Sequence, residues 1–124
     1  PEFRAWQEDK ARAAVATLLG TGVPLVITNV PYLGSGPHPA TEIDRDAECL
    51  NDLYTDIVHG YPDVGMIDLA GWACPDNTCL ESIEGHVFRP DGLHFRDESS
   101  VLAGHWVTEQ ALAFAASAEP DAAR

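Results

Sequence analysis

The chain reads as an α/β fold built on about two parallel strands and three helices, and three features of the sequence predict it. Helix-forming segments alternate with β-branched ones. Glycines and prolines mark each change of period, and both strand segments are short apolar runs of the kind buried on two faces. Alternation gives the order α-β-α-β. A right-handed crossover then makes the two strands parallel neighbours with helices packed on the sheet.

Residues 4–19 (RAWQEDKARAAVATLL) are rich in Ala, Leu, Arg, Lys, Glu and Gln, which lose little side-chain freedom in a helix, and Gly20 and Gly22 stop it. Pro1, Glu2 and Phe3 read as a cloning scar and carry no weight here. Val23 to Val30 is β-branched and apolar between Gly22 and Pro31, a buried strand with Pro24 near its start, where a missing donor is tolerated. Pro, Gly, Ser and Thr dominate residues 31–43, a long loop of the sort that carries binding residues.

Ala47, Leu50, Leu53, Tyr54, Ile57 and Val58 recur at three- and four-residue spacing, one face of a helix from about Asp44 to His59. Asp44 suits its N-cap or first turn, and Cys49 within it is expected as a buried or half-buried small hydrophobe. Gly60 and Pro62 end the helix, and Val64 to Leu69 reads as the second buried strand. Residues 70–96 show no period and are expected as a long functional loop. Asp97 to Ala116 returns to helix formers, with Val101, Leu102, Trp106 and Leu112 as packing residues, and a frayed tail follows from Ser117. One domain over residues 4–116 results, between the scar (1–3) and the tail (117–124).

The net charge of −13, with Lys10 the only lysine, repels phosphate backbones, so nucleic acid is excluded as a partner and anionic membrane surfaces are disfavoured. No run approaches the roughly 18–20 apolar residues that cross a bilayer, and no signal peptide opens the chain. Cys74 and Cys79 bracket Pro75-Asp76-Asn77-Thr78, a turn-forming tetrad that brings two Cα atoms within disulfide range. A bridge is expected ahead of two free thiols or a zinc site. Zinc would want a second ligand pair at short spacing, which His86 and His94 do not provide. A bridge would argue for an extracytoplasmic compartment.

In Arg89-Pro90-Asp91-Gly92-Leu93-His94-Phe95 a carboxylate and an imidazole stand three residues apart on a turn shaped by Pro90 and Gly92. The carboxylate can fix one ring nitrogen and leave the other to take a proton from a hydroxyl, which makes an oriented general base. The strand Val23 to Val30, the helix Asp44 to His59, the strand Val64 to Leu69, Trp72-Ala73-Cys74-Pro75 with Cys79, this Asp-x-x-His block and a final helix with Trp106 together resemble the SGNH hydrolase superfamily. They resemble most the SGNH domains that follow the membrane part of bacterial acyltransferase-3 type O-acyltransferases.

The resemblance spans about Ala5 to Ala113. It implies a three-layer α/β/α, flavodoxin-like fold, of which this chain is the C-terminal part. It also implies that Asp91 and His94 complete a Ser-His-Asp triad with no cofactor and no metal. The expected substrate is an acyl-ester small molecule or a cell-envelope carbohydrate or lipid. The parent protein would be membrane-attached upstream, with its site on the extracytoplasmic face. Trp72 and Tyr32 are expected to line the substrate.

The family's Gly-Asp-Ser block is absent here, as are its oxyanion-hole glycine and asparagine, so the nucleophile is expected outside this chain. An inactive binding module on the same fold is the alternative. Ser35, between Gly34 and Gly36, follows the wrong strand and reads as a loop serine, and His38 and His86 read as solvated loop histidines. Asp68, ending a strand, reads as a hydrogen-bonded structural carboxylate. Two strands leave two open edges, so cover by further strands or by a second copy in a homodimer is expected.

Overall fold

The computed structural model describes residues 2–118; Pro1 of the expected scar and the tail beyond residue 118 lie outside the described residues. Helix α1 (Glu2–Leu19) is followed by β1 (Leu25–Thr28), β2 (Gly36–Pro37), α2 (Glu42–Gly60) and β3 (Val64–Ile67). Next come α3 (Leu69–Ala73), a 3-10 turn (Pro75–Asn77), β4 (Thr78–Cys79), β5 (Ser82–Ile83), β6 (His86–Val87) and α4 (Asp97–Ala118). Among the described residues the fold is mixed α/β, with four helices and short strands in two-stranded sheets.

The expected parallel pair is present. β1 lies beside β3 in register from Leu25 opposite Val64 to Thr28 opposite Ile67, and α2 forms the crossover. Period sets what each element buries. Leu53 and Ile57 of α2 meet Val15 of α1 and Val64 of β3, with Leu25 and Ile27 packed against them. Each fully buried Leu or Ile contributes about 1.5–3 kcal/mol. Alternation turns Gly65 to the opposite face, where Phe114 of α4 lies so close that a Cβ on Gly65 would stand 2.6 Å from its ring. Helices therefore cover both faces of the pair. Among the described residues no helix is long and apolar enough to cross a membrane.

Several expectations are corrected. α1 starts at Glu2, two residues before the expected start, and Phe3 stacks on Trp6 at 6.1 Å. α4 runs through Ser117 to Ala118, and its inward stripe is Ser99, Ala103, Trp106 and Phe114. Val101 and Leu112 are 56% and 65% exposed, because the stripe follows helical phase rather than side-chain size. Cys49, expected to be buried or half-buried, is exposed, with the Arg4 guanidinium 3.5 Å from its Sγ.

The two long loops are structured against each other. β2 pairs antiparallel with β4, placing Gly36 opposite Cys79, and β5 and β6 form a hairpin. That hairpin turns on Glu84 and Gly85, both at positive φ, the backbone that two-residue hairpins need. α3 is the unexpected fourth helix, capped by Asp68. The extra strands pair among themselves, and among the described residues the parallel sheet is two-stranded.

Candidate active site

Phe88 is fully buried and its ring meets that of Phe95 edge-on at 5.1 Å, so six residues between them are pinched into a loop. Trp72 of α3 anchors this loop: it meets Phe88 edge-on at 5.1 Å and stacks on Trp106 of α4 at 4.9 Å. Cys74 and Cys79 are joined by a disulfide in the same buried cluster as Phe88. Trp72 follows the end of β3, and the loop's other contacts, Tyr32 and Gly34, follow the end of β1. The pinched loop thus sits beyond the carboxyl ends of both parallel strands, where ligand sites of open α/β sheets form.

Inside the loop, Arg89 is buried and donates to the carbonyls of Tyr32 and Gly34. Gly34 N–H donates to the Gly92 carbonyl at 2.7 Å. Gly92 has φ +74°, and a Cβ there would stand 2.9 Å from Gly34 Cα, so backbone and space both require glycine.

The expected aspartate–histidine pair is formed. His94 Nδ1 lies 2.8 Å from Asp91 Oδ2, while Asp91 Oδ1 accepts the amides of His94 at 2.7 Å and Leu93 at 3.0 Å. Those bonds, first the His94 amide, then its ring, then the Leu93 amide, hold the Asp91 carboxyl well below the usual carboxylate range. An ionised carboxylate has no proton to give, so Nδ1 carries it and Nε2 is left as the acceptor. The His94 side chain is 63% exposed, and among the described residues its ring bonds only to Asp91. Arg96 reaches the same Oδ2 at 2.9 Å, a partner the sequence reading missed.

The other candidates lie around this loop and along the segments that support it. Trp72 is half-buried in the aromatic cluster. Tyr32 donates its hydroxyl to Glu48 at 2.8 Å and stacks on His38, and burial followed by Glu48 raises its pKa. Asp68 accepts from Asn29 and the Gly71 amide, the structural carboxylate expected of it. His86 is exposed. Ser35 lines a cavity of about 330 Å³ with Glu81, Val87, Arg89 and Gly92, beside the Asp91–His94 turn.

His38 is the main surprise. It is buried rather than solvated: its side chain is 4% exposed and its Nδ1 lies 2.8 Å from Asp44 Oδ2. Asp44 is wholly buried and also accepts the amides of Leu33, Ala40 and Thr41. Burial alone would raise its carboxyl; the bonds from His38 and from the amides of Ala40, Thr41 and Leu33 outweigh it and hold the group well below the usual range. Thr41 is the N-cap of α2 and Asp44 its third residue, a reciprocal capping box. The spacing Thr41-x-x-Asp44 is the signal that could have found this. Among the described residues no group of three or more His, Cys, Asp or Glu side chains is placed to hold a metal ion. No protein-family model, no curated protein and no solved structure matches this chain.

Proposed function

We propose that Asp91 and His94 are the acid–base half of a Ser-His-Asp acyl-transfer site, in an SGNH-type esterase or O-acyltransferase of three-layer α/β/α fold. The observation that carries this reading is the 2.8 Å His94 Nδ1–Asp91 Oδ2 bond on an exposed ring whose Nε2 is open to a reacting hydroxyl. A serine supplied by another segment gives its proton to Nε2 as it attacks the acyl carbonyl. Asp91 balances the imidazolium charge, and the proton then passes to the departing alkoxide. General-base assistance of this kind contributes about 10²–10⁴-fold in rate. The substrate class is an acyl ester of a cell-envelope carbohydrate or lipid, handled without a cofactor, and the disulfide favours an extracytoplasmic setting.

The test is to incubate this chain with a short-chain chromogenic ester and, separately, with a serine-directed phosphonate. Little turnover and no label are expected, because a triad without its nucleophile keeps only binding. Robust turnover with the label on Ser35 would place the nucleophile inside the chain and overturn this assignment.

A further inference from the structure

Arg89 is the only Arg or Lys buried among the described residues. A buried cation is costly unless paired, and carboxylates abound in this chain. Yet among the described residues its guanidinium meets no carboxylate, only the carbonyls of Tyr32 and Gly34 and, at 3.7 Å, Cys74 Sγ. Burial lowers the guanidinium pKa, and Nε is buried without a partner. An apolar residue would fill this space without that cost. What it could not do is span two carbonyls on either side of Leu33 with one rigid planar fork.

Both carbonyls belong to the segment that follows β1, and that segment is itself fixed. Leu33 N–H donates to the buried Asp44 carboxylate at 3.2 Å, and Asp44 in turn holds His38, whose ring stacks on Tyr32. Asp91 follows Arg89 by two residues, and Gly92 accepts from Gly34 N–H. The exposed pair is therefore tied at three points to a seat built on Asp44.

We propose that Arg89 is a positioning residue for Asp91 and His94: by gripping the Tyr32 and Gly34 carbonyls, it fixes where the His94 ring stands relative to the carboxyl ends of the parallel strands. The inference rests on the proposed function only for why that position matters. Lysine keeps the charge but is a point donor on a flexible stem, so Arg89→Lys should lose the grip.

The experiment is NMR on the whole chain with ¹⁵N-labelled histidine and glycine, comparing the parent with Arg89→Lys and Gly92→Ala. In the parent, His94 should show the single Nδ1–H tautomer and the Gly34 amide should exchange slowly. In Arg89→Lys the His38 signals and the disulfide should persist, while Gly34 exchanges at least about tenfold faster and His94 samples both tautomers. Gly92→Ala, which strains the same contact from the other side, should give the same pattern.

A folded Arg89→Lys protein with the parent's His94 tautomer and Gly34 protection would overturn the proposal. If Arg89→Lys does not fold, Gly92→Ala decides by the same criteria, and unfolding of both would mark the contact as core and overturn it too. Absence of acyl chemistry alongside the expected NMR pattern would instead remove the functional reading and leave the positioning role standing.

Discussion

Two aspartate–histidine pairs in this molecule share one bond, Nδ1 to Oδ2 at 2.8 Å, and differ in almost everything around it. In His38–Asp44 the side chains are 4% and 0% exposed; in His94–Asp91 they are 63% and 37% exposed. The buried pair ties a loop to the first turn of α2, and its Nε2 is shut away from solvent without a partner. The exposed pair presents its Nε2 to whatever approaches. A hydrogen-bonded Asp–His pair is thus not a site in itself; access to the second nitrogen decides whether it can move a proton or only hold a fold.

Stability measurements sharpen that contrast. The largest effect is expected for Asp44→Asn, since losing a buried carboxylate that accepts from His38 and three backbone amides leaves buried donors unsatisfied, at about 1–3 kcal/mol each. Denaturant unfolding reads it directly, and a loss under about 1 kcal/mol would show that the buried pair is not structural. Acid should erode the same contribution. The folded Asp44 pKa is depressed, so its stabilisation is complete above the unfolded value of about 3.9 and is lost as pH falls through the folded one. The gap between parent and Asp44→Asn should therefore narrow below about pH 4, and a gap that widens there would contradict the assignment.

Reducing the Cys74–Cys79 bridge should cost less, about 2 kcal/mol for so short a loop, and loosen the packing around Phe88 without unfolding the parallel pair. Intact mass after alkylation without reductant should show one modified thiol, Cys49. The smallest effect is expected at the exposed pair. Asp91→Asn weakens bonds at an exposed turn and should lower the unfolding midpoint only slightly, and a drop as large as that of Asp44→Asn would make that pair structural as well.

How much of this was readable beforehand depends on period. β1, α2 and β3 were legible because apolar residues recur along α2 at helical spacing and the strand runs are bounded by glycine and proline. Asp91 and His94 were legible because their bond is local, three residues apart on a glycine turn. β2, β4, β5 and β6 were not, since two-residue strands have no period and owe their pairing to contacts between distant loops. His38 was misread for a related reason. Its burial comes from the stack on Tyr32 and the bond to Asp44, while its neighbours Pro37 and Pro39 are exposed and say only loop. In α4, large apolar residues drew attention from Ala103 and Ser99, which are small enough to face the core.

The measurement that bears most directly on the proposed acid–base role of His94 is acyl hydrolysis and transfer by the protein expressed from its entire coding sequence, compared with its His94→Gln and Asp91→Asn variants. With both variants folded, kcat/KM should fall by at least about 10³-fold for His94→Gln and by about 10²–10⁴-fold for Asp91→Asn. Parent-level turnover in either folded variant would contradict that role.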